Sequence, residues 1–337
     1  MSGSYGWNGR DRSLDSVPAG TGFTRARQAY NDPSPARSRV LPSAPDDDKS
    51  VRYPASQVVA AALTPYLDLA PRALKSTAAN VLVVEVDVTG SMREWIQEIF
   101  DRLPLLYKET QKYLGDDLEI LFIGFGDVAF HDKIEVASFG RGQVLDTYIT
   151  AFDKNANGGG NGIESAEVVA VYVDKMVDTS TAKNVYMYTI TDEGLAATVE
   201  PSLVRRGVNV ACEREPTKNV YDRLLMKGCV YTLFAATNTG RNSGYEKTWV
   251  DVLGRERVLP LNDARRVVDV MLGVMAKLTD QLDQFTQDLH ARQGGTKFGS
   301  VNIANVHQTI ALVNNGSPKP PQITGGTKRL ILDGDGK

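Results

Sequence analysis

The feature that most constrains the fold is a regular alternation of short β-branched runs with helical stretches. The first run, Val81–Val86, is almost continuously apolar, which is typical of a strand buried on both faces of a sheet. Runs of the same kind cover residues 118–126, 184–193, 229–236 and 257–261. Strands that alternate with helices predict an α/β fold, with a doubly wound, mostly parallel central sheet and helices on both faces. The run at residues 133–139 follows the second strand closely enough to pair with it as a hairpin.

Composition divides the chain of 337 residues into three parts. Residues 1–76 form an N-terminal arm of low complexity with a short helix near its end, residues 77–293 form the folded domain, and residues 294–337 form a C-terminal tail. The net charge is −3, but the arm up to residue 75 and the tail each carry +3, which leaves −9 for the body between them. This distribution is either chance or an indication that the basic ends lie on acidic surfaces.

The composition also predicts a compartment and excludes some partners. The chain has only two cysteines, Cys212 and Cys229, so a disulfide framework is not expected and a reducing compartment fits better. The first residues lack the apolar segment of a secretory signal, and no apolar run approaches the ~20 residues of a membrane span. No basic run is interleaved with aromatic residues. We therefore expect a cytoplasmic protein that binds neither membranes nor nucleic acid.

The first strand ends in a polar pattern, Asp-x-Thr-x-Ser, formed by Asp87, Thr89 and Ser91. One carboxylate and two hydroxyls are hard oxygen ligands of the kind that Mg²⁺ prefers. Asp192 follows a later strand, and Asn161 belongs to the glycine-rich loop NANGGGNG. The pattern alone also fits a strand-to-helix turn with Ser91 as N-cap, but three such loops in this order favour a metal site. These residue types do not distinguish Mg²⁺ from Mn²⁺ or Ca²⁺.

The same motifs resemble those of a known family. The stretch VEVDVTGSM is similar to the opening of a von Willebrand factor type A (vWA) domain, with its metal-ion-dependent adhesion site, and the resemblance to intracellular bacterial members covers about residues 78–278. It implies that Asp87, Thr89, Ser91, Asn161 and Asp192 hold Mg²⁺. The family more often has Thr or Asp where this chain has Asn161, and an amide oxygen binds a cation more weakly than a carboxylate. The resemblance further implies a non-catalytic module that binds an Asp or Glu carboxylate of a partner protein through Mg²⁺.

Three functional readings remain open at this point. Bacterial members of the family often work beside AAA+ ATPases of the MoxR type, so the chain is expected to be an adaptor for such a partner. Alternatively, it is a structural subunit of a larger assembly whose basic arm and tail join subunits. A third reading is a phosphotransferase similar to haloacid dehalogenases, with Glu85, Asp87 and Thr89 in place of Asp-x-Asp-x-Thr. This reading is disfavoured because the nucleophile position holds Glu, so we expect no enzymatic activity.

The C-terminal part of the chain carries an apolar stripe at helical spacing. A long helix is predicted from Asn262 to about Arg292. Its stripe consists of Met271, Met275, Leu278, Leu282, Phe285 and Leu289. The part at residues 278–289 either covers its own domain or forms a seam for self-association or for the N-terminal arm. The tail stretch VNIANVHQTIALVN is rich in β-branched residues and is a candidate strand.

Overall fold

A computed structural model describes residues 69–153, 156, 162–237, 244–295 and 297–314. Most of the N-terminal arm, the end of the tail and Asn161 lie outside these ranges, so the predictions that involve them stay predictions.

A mostly parallel sheet lies at the centre of this part of the chain. Its six strands are β1 Asn80–Asp87, β2 Leu118–Phe125, β3 Ile134–Val136, β4 Asn184–Thr191, β5 Cys229–Ala235 and β6 Val258–Leu261. They are arranged in the order β6-β5-β4-β1-β2-β3. Every neighbouring pair is parallel except β2 and β3, which are antiparallel. The prediction of a mostly parallel α/β sheet with one antiparallel hairpin is therefore confirmed.

Strand β1 is the central element because it pairs with β2 on one side and β4 on the other. Val83 lies opposite Leu121 of β2 and Met187 of β4. All eight residues of β1 are buried, as expected for a nearly continuous β-branched run. Alternate side chains enter two separate cores, since Leu82 packs on one face of the sheet and Val83 on the other.

Helices cover both faces of the sheet. In chain order they are α1 Arg93–Phe100, α2 Leu106–Leu114, α3 Val144–Ala151, α4 Ala166–Met176, α5 Pro201–Val208, α6 Thr217–Lys227, α7 Glu246–Leu253, α8 Val267–Leu278, α9 Leu282–Gln293 and α10 Lys297–Ala311. Residues of α1–α3 and α8–α10 belong to one core, and residues of α4–α7 belong to the other. A 3-10 turn at Leu103–Leu105, which contains Pro104, separates α1 from α2 as the proline in the predicted helix suggests.

Two short strand pairs lie outside the central sheet. Leu74–Lys75 pairs in parallel with Val177–Asp178, and Thr198–Val199 pairs with Glu215–Pro216 in the antiparallel sense. The first pair ties the end of the N-terminal arm to the chain that follows α4. The Val136 N–H also donates to the Leu69 carbonyl at 2.7 Å, so the arm runs beside the edge strand β3 where it enters the domain.

The predicted long C-terminal helix is two helices, and the continuous prediction was wrong. The chain leaves α8 after Leu278, passes through Asp280 with φ of 59°, and begins α9 at Leu282. This break turns α9 back, so that Phe285 and Leu289 are fully buried within the domain core. Of the two alternatives for residues 278–289, the packing of Phe285 and Leu289 supports the one in which the stripe covers its own domain.

The candidate strand in the tail is also a helix. In α10 and just after it, Ile303, Val306, Ile310 and Val313 recur every three or four residues, and all four are buried. The Lys277 Nζ donates to the Ile310 carbonyl at 3.1 Å, which links α10 to α8. Residues 297–311 lie beyond the composition boundary at residue 293, yet they pack into the same core as α8.

Phe285→Ala should destabilise the protein, because Phe285 lies between Tyr113 and His307 with ring-centroid distances of 6.3 Å to each. We expect a loss of about 3–5 kcal/mol in the free energy of unfolding by urea denaturation. The neighbouring exposed control, Gln284→Ala, should change it by no more than about 0.5 kcal/mol. A Phe285→Ala variant of unchanged stability but smaller mass in solution would instead support the self-association seam.

Candidate metal centre

The predicted site lies where the strand order changes direction. Asp87 is the last residue of β1, and Asp192 directly follows β4, its parallel neighbour. The chain builds the sheet outward from β1 through β2 and β3, and then returns to the other side of β1 with β4, β5 and β6. In open α/β sheets the crevice beyond the strand ends at such a switch point is the usual ligand site. The parallel pairing therefore brings both carboxylates to one edge of the sheet.

A tight turn arranges the Asp-x-Thr-x-Ser motif. The Asp87 Oδ1 accepts hydrogen bonds from the Thr89 N–H at 2.9 Å and from the Thr89 Oγ1 at 2.6 Å. Thr89 has extended backbone angles, and a 3-10 turn at Gly90–Met92 then leads into α1. The Thr89 Oγ1 lies 3.3 Å from the Ser91 Oγ, so the alternate side chains of the motif point to one place.

Hydrogen bonds join this turn to the ends of two further strands. The Ser91 Oγ donates to the Asp192 Oδ1 at 2.8 Å, and the Thr191 Oγ1 donates to the Asp87 Oδ2 at 2.7 Å. The Thr237 Oγ1, just beyond β5, donates to the Asp192 Oδ2. The structure thus brings Asp87, Thr89, Ser91 and Asp192 together, whereas Asn161 lies outside the described residues. Thr237 was not predicted, because the sequence marks it only by its place after a third strand.

Two more acidic residues, Glu164 and Glu193, lie in the same region. Both are buried, and the Oε2 atom of each has no hydrogen-bond partner within the described part of the chain. Glu193 is adjacent to Asp192 in sequence. Glu164 follows the glycine-rich loop and was not among the residues predicted for the site. Burial of an unpaired polar group is costly, and each such atom in a folded protein requires an explanation.

The electrostatics of the site disfavour ionised carboxylates. Burial first, and then the charge of Asp192, raises the pKa of Asp87 to about 7, in spite of its hydrogen bonds with Thr89 and Thr191. Burial also raises the pKa of Asp192. Burial and nearby carboxylates raise the pKa of Glu193 to about 7 and that of Glu164 to about 10. No Lys or Arg of the described chain forms an ion pair with these four residues, so burial favours either their protonated forms or a bound cation.

The donor set fits a hard divalent cation. Asp87 and Asp192 supply two negative charges, and Thr89 and Ser91 supply neutral hydroxyl oxygens. In the described ranges no three His, Cys, Asp or Glu side chains converge as the ligands of one ion, so these hydroxyls are essential to any such site. The loops also approach closely, since a Cβ atom on Gly194 would lie 3.0 Å from the Gly162 carbonyl oxygen.

A second polar layer lies beneath the site. Glu85 lies on β1 two residues before Asp87, and its Oε2 accepts a hydrogen bond from the Thr189 Oγ1 at 2.6 Å. Burial raises the pKa of Glu85 to about 7. Burial, with a smaller effect of Asp127, raises the pKa of Glu167 in α4 to about 8. Glu85 is enclosed within the core, so its carboxylate is not accessible to a substrate.

Comparisons with known proteins give only weak similarities. No family model matches the chain, and no curated protein matches it. Among solved structures, the pilus adhesin SpaC from Lactobacillus rhamnosus GG in its open conformation is similar at 13% identity and a TM-score of 0.43, over 62% of this chain and 31% of the adhesin. The PilB minor pilin from Streptococcus sanguinis is similar at 10% identity and a TM-score of 0.38, over 62% of both chains.

The chain thus spans less than a third of the length of the adhesin and less than two thirds of the pilin. At these scores neither similarity supports an inference about function. Separately, none of the helices in the described ranges combines the length and the apolar character that crossing a membrane requires.

Glu167→Gln should reduce the pH dependence of stability. The folded protein keeps a proton on Glu167 up to about pH 8, whereas the unfolded chain releases it near the ordinary value of 4.5. The free energy of unfolding therefore falls as pH rises between these values, by up to about 1.4 kcal/mol per pH unit. Urea denaturation at several pH values should show a smaller fall for Glu167→Gln than for the wild type. The exposed control Glu213→Gln should behave like the wild type, and equal slopes for all three proteins would refute the expectation.

Proposed function

We propose that this chain is a vWA-type domain whose adhesion site binds Mg²⁺ and, through it, an Asp or Glu carboxylate of a partner protein. In this proposal the sheet is doubly wound. Asn161 of the glycine-rich loop is a further ligand of the cation. The observation that carries it is the group of buried carboxylates at the switch point, which has hydroxyl donors beside it and no Lys or Arg paired with it in the described chain.

In such a site, some residues would supply negative charge and others would orient the ligands. Asp87 and Asp192 together neutralise a divalent cation, which leaves the other positions to neutral oxygens of Thr89 and Ser91. Thr191 and Thr237 each hold one oxygen of an aspartate and so fix the direction of the other. When bound, the cation supplies a Lewis-acidic position that an incoming carboxylate oxygen can take.

An adaptor role is the favoured biological setting. The resemblance to intracellular bacterial vWA proteins suggests a cytoplasmic partner of the AAA+ MoxR type, which would present the carboxylate. A structural subunit, joined to its neighbours through the basic arm and tail, is the second candidate, and the charge difference between the ends and the body favours it. The phosphotransferase reading has little support, because its nucleophile would be Glu85, which is buried inside β1 and held by Thr189.

Asp87→Asn should remove measurable Mg²⁺ binding. The substitution takes away one of the two charged ligands, and an amide cannot replace the lost charge. Isothermal titration calorimetry should show Mg²⁺ binding at one site in the wild type and no measurable binding in the variant. Asp251→Asn is the matched control, since Asp251 is an exposed aspartate that pairs with Lys247. Equal affinities for the wild type and Asp87→Asn would contradict the assignment of the site.

A carboxylate peptide should displace a water molecule from the bound metal. Mn²⁺ can replace Mg²⁺ at oxygen sites, and it enhances the relaxation of water protons that exchange at the ion. We expect a short peptide with an amidated C-terminus and one Glu to lower this enhancement, and the same amidated peptide with Gln to leave it unchanged. With Asp87→Asn, Mn²⁺ should not enhance the relaxation of water protons, so neither peptide should change it. A Gln peptide as effective as the Glu peptide would exclude recognition through a carboxylate.

A further inference from the structure

We propose that Arg257 is a binding site for one carboxylate group, which the C-terminal tail of the chain supplies through Asp333 or Asp335. Arg257 directly precedes β6, whereas the metal centre lies beyond the carboxyl ends of the parallel strands β1 and β4. The two sites are therefore at opposite edges of the sheet, and this inference does not depend on the proposed function.

The Arg257 side chain is a buried cation without a counter-ion in the described chain. Only 7% of the residue is exposed, and its Nη1 atom is enclosed without a hydrogen-bond partner among the described residues. No Asp or Glu of the described ranges forms an ion pair with it. A buried charge is strongly unfavourable unless it is paired and hydrogen-bonded, and an arginine cannot avoid this cost by losing its proton. The arrangement thus indicates an anionic group from outside the described residues.

The surroundings of the guanidinium favour a carboxylate as its partner. The guanidinium carbon lies 5.8 Å from the centre of the Tyr231 ring, which stacks with Tyr188 in the core beneath α8 and α10. The ring attracts the positive charge, but it offers no oxygen acceptor to the N–H groups. A carboxylate is planar and can accept two parallel hydrogen bonds from one guanidinium, so it supplies both the charge and the acceptors that Tyr231 lacks.

The last described helix ends at the same edge of the sheet as Arg257. Just past α8, the Gln281 Nε2 donates to the Tyr113 carbonyl at 2.9 Å, and Tyr113 lies shortly before the start of β2. The end of α8 is therefore at the edge where the parallel strands begin. The Lys277 Nζ in the last turn of α8 donates to the Ile310 carbonyl, which places the end of α10 there as well.

The tail continues from this point and carries the required chemistry. α10 lies against β6, since the Thr309 Oγ1 donates to the Pro260 carbonyl at 3.1 Å. Beyond the described residues, the tail holds two acidic residues, Asp333 and Asp335, which follow the apolar stretch LIL. Asp333 lies 19 residues past the last described residue, and an extended chain of that length spans roughly 60 Å. Either carboxylate can therefore reach Arg257.

Arg255 offers a matched control for the test. It lies two residues before Arg257, carries the same charge, is exposed and pairs with Glu246. An exposed pair of this kind contributes little to stability. Replacement of Arg255 by Met should therefore leave the response to a carboxylate unchanged, whereas the same replacement of Arg257 should abolish that response.

The experiment measures the midpoint of thermal unfolding of the full chain at pH 7, in sodium acetate and in sodium chloride of equal ionic strength. In chloride, the double variant Asp333→Asn, Asp335→Asn should unfold at least about 4 °C below the wild type, because it leaves Arg257 buried and unpaired. Acetate should restore this midpoint with an effect that saturates, since it supplies the missing carboxylate.

Arg257→Met should unfold at a higher temperature than the double tail variant, because methionine fills the space without a charge. Acetate should not change its midpoint relative to chloride. When Arg257→Met is combined with the two tail substitutions, these should cause no further loss, because their partner is already absent. Arg255→Met should behave like the wild type in both salts.

The outcomes also identify the source of the carboxylate. If acetate raises the midpoint of the wild type and the tail variant unfolds like the wild type, the tail assignment is wrong and Arg257 stands as a site for a small carboxylate. If neither the tail substitutions nor acetate changes the midpoint, Arg257 binds no carboxylate. An acetate effect of equal size in Arg257→Met would also overturn the proposal, because acetate would then act elsewhere on the protein.

Discussion

Buried negative charge at the carboxyl ends of β1 and β4 is the constraint on which the rest of the site depends. Asp87 and Asp192 lie at the ends of adjacent parallel strands, so neither can move away from the other without disturbing the centre of the sheet. Two ionised carboxylates in such a place repel each other, and burial penalises both. The protein reduces this cost with hydroxyl donors from Thr89, Ser91, Thr191 and Thr237. Hydrogen bonds from neutral groups lower the cost but do not supply the missing positive charge.

The same pairing of a carboxylate with a threonine occurs again in the core beneath the site. On β1 and β4, Asp87 is held by Thr191, and Glu85 is held by Thr189 two residues earlier on each strand. The parallel register makes the two pairs equivalent, since strands in register place side chains of the same face side by side. The two carboxylates nevertheless differ in their surroundings. Glu85 is enclosed by the core, whereas Asp87 lies at the end of the strand, beside the crevice.

The errors in the C-terminal region have a common physical origin. An apolar stripe at helical spacing predicts a helix, but it does not say whether the stripe continues straight or folds back after a turn. Asp280 adopts a left-handed conformation between α8 and α9, and aspartate is one of the few residues that tolerates it. In the tail, β-branched content suggested a strand, although Ile303, Val306, Ile310 and Val313 already had helical spacing. Packing against α8 determines that this segment is a helix, because its apolar residues and those of α8 form one core.

The amino-acid sequence was sufficient to predict the strands, the helices between them and the polar residues at the strand ends, because apolar periodicity and short turns are local properties of the chain. It therefore predicted Asp87, Thr89, Ser91 and Asp192 as one group before their distances were known. The tertiary structure alone decided what surrounds that group. Thr237 and Glu164 carry no motif, and only the strand order and the close approach of Gly162 to Gly194 bring them to the site. Burial and unpaired oxygens are properties of the packed molecule, since they depend on which distant segments exclude water from a side chain.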